Sequence, residues 1–233
     1  MIRNYYKKHI ALGVLFFVIV FGLVFINLEG TSHDFYWILY NRSYATILYI
    51  PLFFGGMIWL FSDFFFSECM VRYVTKIRML EKYMERIVLF SLYYAGLFLT
   101  ANLFLQKILK IPIFHIKKNI GMDCMILFFL QVIGWCLLGL LFFLLFLWIR
   151  HFAVVWGALV VFLVLLTSFG ETFAESSIVR YVVSPYHMMY QYSLMKSQMI
   201  PLKVFIFVVI FCCLLSIIIW LSLKSRDMLM RGE

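Results

Sequence analysis

From Cys124 to Ile149 the sequence reads "CMILFFLQVIGWCLLGLLFFLLFLWI", without one charged side chain. A helix of about 20 such residues spans the hydrocarbon of a bilayer. In water the same stretch has no face to turn outward. Five further apolar runs follow the same rule, at about 9–28, 44–66, 87–104, 152–167 and 202–223. The runs are continuously apolar rather than alternating, so helices are expected and a barrel is not. Composition agrees: 65% of residues are hydrophobic and 13% charged, against about 25% charged in an ordinary soluble domain. The expectation is an all-α polytopic membrane protein, one transmembrane domain over 1–233 with six spans.

The opening "MIRNYYKKHIALGVLFFVIVFGLVFINLEG" has the basic leader of a signal peptide. Its apolar part is too long for a signal core of about 7–15 residues, and no small-x-small cleavage site follows. It reads as an uncleaved first span. Six spans put both termini on one side, and the distribution of basic residues chooses which. With the termini inside, twelve of the 20 Lys and Arg residues fall on the inner side. The expected location is a bacterial plasma membrane, multi-pass, with cytoplasmic N- and C-termini. The net charge of +9 is read as topology and headgroup contact, and nucleic acid is not expected as a partner.

The densest charge lies between the second and third runs, in "SECMVRYVTKIRMLEKYMERIVLF". At 100° per residue, Tyr73, Ile77, Leu80 and Met84 share one helical face. Arg72, Lys76, Arg78, Lys82 and Arg86 spread over the opposite arc, and Glu68 precedes Arg72 at i,i+4 spacing. One reading is a solvated, lipid-touching helix that only fixes topology. The other is a docking helix, seated through Tyr73 and Ile77 and presenting Glu68, Arg72, Lys76 and Arg78 to a soluble partner.

Before the last run, "SFGETFAESSIVRYVVSPYHMMYQYSLMKSQMI" is too long for a turn and only moderately polar. It reads as a re-entrant or interfacial helical segment, broken at Pro185, forming a lid over the outer exit. Glu171, Glu175, Pro185, Tyr186 and His187 are its candidate gate residues. Glu171 and Glu175 stand at a metal-compatible i,i+4 spacing, but no second helical Glu/His pair accompanies them. Arg150-His151 leaves room only for a tight antiparallel turn between the fourth and fifth runs.

Several classes are excluded by what is missing. There is no GxxxxGK[ST] loop for ATP and no HExxH or GxSxG motif. Chemistry on this chain is therefore not expected, and neither is a metal. The five Cys residues show no ligand spacing and read as packing residues. The runs are also nearly free of the buried carboxylates that proton- or sodium-coupled carriers use, Asp63 standing near the inner end of the second. That favours a driver outside the membrane and an amphipathic or hydrophobic substrate.

Six runs, a basic amphipathic helix between the second and third, "SECMVRYVTKIRMLEKYMER", the tail "KSRDMLMRGE" and the outer segment "SPYHMMYQYSLM" together resemble the permease subunit of a type-2 ABC exporter. The likeness covers the whole chain as topology. Within that class it looks closest to short Gram-positive permeases of antimicrobial-peptide (lantibiotic) export and immunity. The resemblance implies that the inner helix, with Glu68, Arg72, Tyr73, Lys76, Ile77 and Arg78, is the coupling helix seated in a cleft of a separate ABC ATPase. It implies ATP and Mg on that partner rather than here. It also implies a dimer with a second copy or a sibling permease. The alternative is a non-transport accessory or sensor subunit whose basic loop binds lipid or a signalling partner.

Overall fold

A computed structural model of the chain describes residues 2–26, 44–65, 76–109, 120–172 and 200–225. Among these residues every regular element is a helix. They are α1 (Ile2–Ile26), a π-helical turn (Ala45–Tyr49) leading directly into α2 (Ile50–Phe65), α3 (Lys76–Leu109), α4 (Ile120–Ile149), α5 (Phe152–Thr172) and α6 (Ile200–Ser225). Together they cover the described part of each apolar run, because a run with no polar face can satisfy its backbone only internally.

Among the described residues, three helices are long and apolar enough to cross a membrane, over Lys7–Ile26, Ile77–Leu105 and Phe128–Ile149. Ala45–Phe61, Phe152–Leu165 and Val208–Lys224 are shorter apolar stretches. Many large apolar side chains of the described residues are also exposed. On α1, Ile10, Val14, Val18 and Phe25 face outward, with Phe25 76% exposed. A surface of that kind suits hydrocarbon rather than water.

The helix α4 is central: α3 and α6 pack along it, and α5 folds back against it. The reversal between α4 and α5 is as tight as the two intervening residues require. Arg150 turns the chain with a left-handed φ of 57°, a conformation that costs a non-glycine residue about 1 kcal/mol. Phe146 and Phe152 stack across the turn with ring centres 4.5 Å apart.

The core is aromatic. Phe16 of α1, Tyr49, Phe53, Phe90, Tyr94, Phe98 and Trp135 are all buried to within 1% of full exclusion. Trp135 of α4 sits among them, 4.7 Å from Phe53, 4.8 Å from Tyr94 and 5.9 Å from Phe98 between ring centres. Phe16 lies 4.9 Å from Phe98 and brings α1 into the same cluster. Such pairs add about 0.5–1.5 kcal/mol beyond area burial.

One expectation changes. The third helix does not begin at residue 87. It is already helical at Lys76, where this stretch of described residues opens, and continues through 34 residues to Leu109. From Lys76 onward, the charged segment is therefore the first turns of α3 and not a separate short helix. Nothing between Lys76 and Ile87 breaks a helix: there is no Pro or Gly in "KIRMLEKYMERI", and Leu, Met, Glu, Lys and Arg are strong helix formers. Residues 67–75, the first half of the expected coupling helix, lie outside the described residues.

Candidate functional site: the charged end of the third helix

In the first turns of α3, Arg78, Glu81, Lys82 and Glu85 are exposed. The Lys82 ammonium donates to the Glu85 carboxylate one turn on, with both side chains 55% exposed. A pair so exposed adds little stability, and its two charges are displayed rather than spent. The buried stripe is Met79, Tyr83, Ile87 and Phe90, none more than 4% exposed.

This is not the face expected to be seated. Ile77 is 54% exposed, while Leu80 and Met84 are half-buried against the core. The packed face is turned by roughly a quarter turn, because at 100° per residue the register of the whole helix is set by Ile87, Phe90 and Tyr94 further along. Ile77 is a presented apolar residue beside Arg78 and Glu81. Of the other expected coupling residues, Lys76 opens α3, and Glu68, Arg72 and Tyr73 lie outside the described residues. On the opposite side Glu171 falls in the last turn of α5. Glu175, Pro185, Tyr186 and His187 are outside the described residues. The two clusters are thus not described together anywhere.

The charged end is fastened to the rest of the bundle by tyrosines. Tyr83 is fully buried, donates its hydroxyl to the Gly139 carbonyl of α4 at 3.0 Å, and stacks on Phe143 with ring centres 3.7 Å apart. A side chain at Gly139 would crowd Ile87. A Cβ on Gly139 would stand 2.6 Å from Cδ1 and 2.8 Å from Cγ1 of Ile87. Ten residues on, Tyr93 donates to the His9 carbonyl of α1 and meets the His9 ring edge-on at 5.0 Å. Here too a glycine makes room: a Cβ on Gly13 would stand 2.7 Å from the Tyr93 hydroxyl. Tyr94 donates to the Tyr49 carbonyl of the π turn at 2.8 Å. Three hydroxyls of one helix thus reach three other backbone segments.

The chemical reason is general. A phenol in an apolar interior needs an acceptor, and helix carbonyls can accept a second hydrogen bond. Interhelical bonds of this type average about 0.6 kcal/mol and reach about 1.7. Their residue type hid them. Tyr83, Tyr93 and Tyr94 count as hydrophobic in any summary of composition, and the signal that could have found them is their hydroxyls. A further tie joins the N-terminal part of α1 to α2, where the Lys8 ammonium donates to the Trp59 carbonyl at 2.9 Å and lies 6.0 Å from that residue's ring centre.

Cys136, Cys212 and Cys213 are free thiols. Among the described residues no three His, Cys, Asp or Glu side chains group as a metal ion would need. No protein-family model, curated protein or solved structure matches the chain.

Proposed function

We propose that the chain is the membrane-spanning permease subunit of an ATP-driven ABC exporter, hydrolysis taking place on a separate ATPase chain. The observation that carries this reading is the continuity of α3. It runs unbroken from a mixed-charge, exposed end into a core to which three tyrosines tie it. A continuous helix tied at several heights transmits a push at one end to everything it is tied to. ATP binding would close two ATPase chains against the charged end, and α3 would carry α1, α4 and the π turn with it. The presented residues would be Arg72, Lys76, Arg78 and, in place of a seated role, Ile77. A second copy or a sibling permease would complete the pathway. The substrate that fits apolar, aromatic walls with almost no charge is amphipathic or hydrophobic, an antimicrobial peptide being the class the resemblance names.

Six spans belong to this proposal. The helices α5 and α6 have 21 and 26 residues, and the π turn and α2 together supply 5 and 16. At 1.5 Å per residue each exceeds about 30 Å, the hydrocarbon thickness. Both termini would be cytoplasmic, and the segment after α5 would be a lid on the outer side. In a chain with native Cys replaced, Lys117→Cys and Lys196→Cys should react with an impermeant maleimide on intact cells. Lys76→Cys should react only after the cells are opened. The opposite pattern would invert the orientation.

The function itself is tested by purification from native membranes in mild detergent, followed by mass spectrometry. An ATPase chain at stoichiometric level is expected. Its absence, with only lipid or a signalling protein retained, would favour an accessory subunit.

A further inference from the structure

The second helix begins irregularly. In the π turn Ala45–Tyr49, the N–H of Ile50 donates to the carbonyl of Ala45. Such a turn inserts an extra residue into a helix and occurs mostly as a single turn, often at sites that function requires. Pro51 follows at once. It has no N–H, so a carbonyl one turn earlier loses its donor. Gly55 and Gly56 come a turn later, and each costs a helix about 1 kcal/mol relative to Ala. Three sources of weakness therefore fall within residues 45–56.

The same stretch receives hydrogen bonds from two other helices, both to backbone carbonyls. Tyr94 of α3 donates to Tyr49 at 2.8 Å, and the Trp156 indole of α5 donates to Pro51 at 3.3 Å. Tyr94 is fully buried and Trp156 is 38% exposed, so the second bond is the looser. The glycines differ too. A Cβ on Gly56 would press on Leu12 at 2.9 Å and on Phe90 at 3.0 Å, whereas one on Gly55 would meet nothing within 4 Å. The chain is gripped at Gly56 and free of close neighbours one residue before it.

We propose that residues 45–56 form a hinge in the second membrane helix, latched by the hydroxyl of Tyr94 and the indole N–H of Trp156. Releasing the latch lets the π turn revert to α-helical register. One residue fewer in the turn rotates the chain before it by about 100° relative to α2. The two donors come from different helices, so relative movement of α3 and α5 opens the latch. The inference does not depend on the exporter reading.

The test places spin labels on Cys at Ile47 and Ile77, which are 65% and 54% exposed, in the full chain in nanodiscs with native Cys replaced. Ile77 lies about 25 Å from the level of Tyr94 at 1.5 Å rise per residue, a separation that pulsed electron resonance resolves. The wild-type background should give one narrow distance. Tyr94→Phe with Trp156→Phe keeps two aromatic rings and removes both donors. It should add a second population displaced on the order of 5 Å, from a quarter turn of a helix about 10 Å across. Pro51→Ala in that variant restores an N–H and should shift the two populations relative to each other. A control pair at Ile77 and Leu103, both on α3, should stay narrow throughout. An unchanged Ile47–Ile77 distance in the latch-free variant overturns the proposal, as does equal broadening of the control pair. If the double variant fails to insert, Trp156→Phe alone is measured. The second population should appear there at lower occupancy, and its absence likewise overturns the hinge.

Discussion

Trp135→Ala should destabilise the purified protein by about 3–5 kcal/mol, the range for removing a buried Trp or Phe. It should lower the thermal midpoint in detergent on the order of 10 °C. The indole is fully excluded from the surface and sits within 6 Å of Phe53, Tyr94 and Phe98, ring centre to ring centre. These rings come from α2 and α3, so the void opens where three helices meet. Their neighbours are themselves locked. Phe98 is held by Phe16 at 4.9 Å and Tyr49 at 5.0 Å, and Tyr94 by its bond to the π turn. Little can collapse into the gap, which places the loss in the upper part of the range. Trp135→Phe should cost far less, because a ring remains to face Phe53. A loss below about 1 kcal/mol for the alanine variant, measured by thermal unfolding, would mean that the aromatic cluster is not the core that holds α2, α3 and α4 together.

The second large effect is on assembly rather than stability. Arg72→Glu with Lys76→Glu should leave the protein inserted at normal abundance. It should remove the ATPase chain from the complex, or leave it hydrolysing ATP without response to substrate. Like charges brought together at an interface cost several kcal/mol, and about 3 kcal/mol is roughly a hundredfold in affinity. Lys76 is the first described residue of α3, on the side where the proposed push enters. Neither position belongs to the buried stripe of Met79, Tyr83 and Ile87, and thermal stability should stay close to wild type. A matching loss of stability would assign the charges to folding instead.

Much of the fold was open to a reader of the sequence. The described part of each apolar run is helical, and Arg150-His151 makes the tight reversal expected of so short a joint. Apolar length is a crude signal, and it survives any detail of packing. The start of α3 was missed for a physical reason. Charge marks where a chain leaves an apolar environment, and it does not mark where a helix ends. Lys76 to Arg86 are good helix formers and simply continue the span outward. The seated face was misplaced for a related reason. Periodicity in Ile77, Leu80 and Met84 ranked side chains by apolarity alone, whereas Tyr83, with a polar tip, is the residue buried completely. Its burial depends on a carbonyl exposed by Gly139 on another helix, and no local pattern contains that partner. The π turn was equally hidden. Pro51 and Gly55-Gly56 interrupt the second apolar run, but the π turn is held by Tyr94, far along the chain. The candidate gate residues from Glu175 to His187 fall outside the described residues, so the lid rests on the sequence reading.

The exporter reading makes position within the charged segment matter, whereas a lipid anchor needs only its charge. The most direct measurement is therefore the ATPase chain retained on purification when residues 67–86 are scrambled at constant net charge, with Met79, Tyr83 and the other buried positions kept in place. The exporter reading predicts a scrambled protein that inserts at wild-type abundance and purifies without its ATPase. A scrambled protein that retains the ATPase chain at the wild-type ratio, with wild-type hydrolysis, would contradict it.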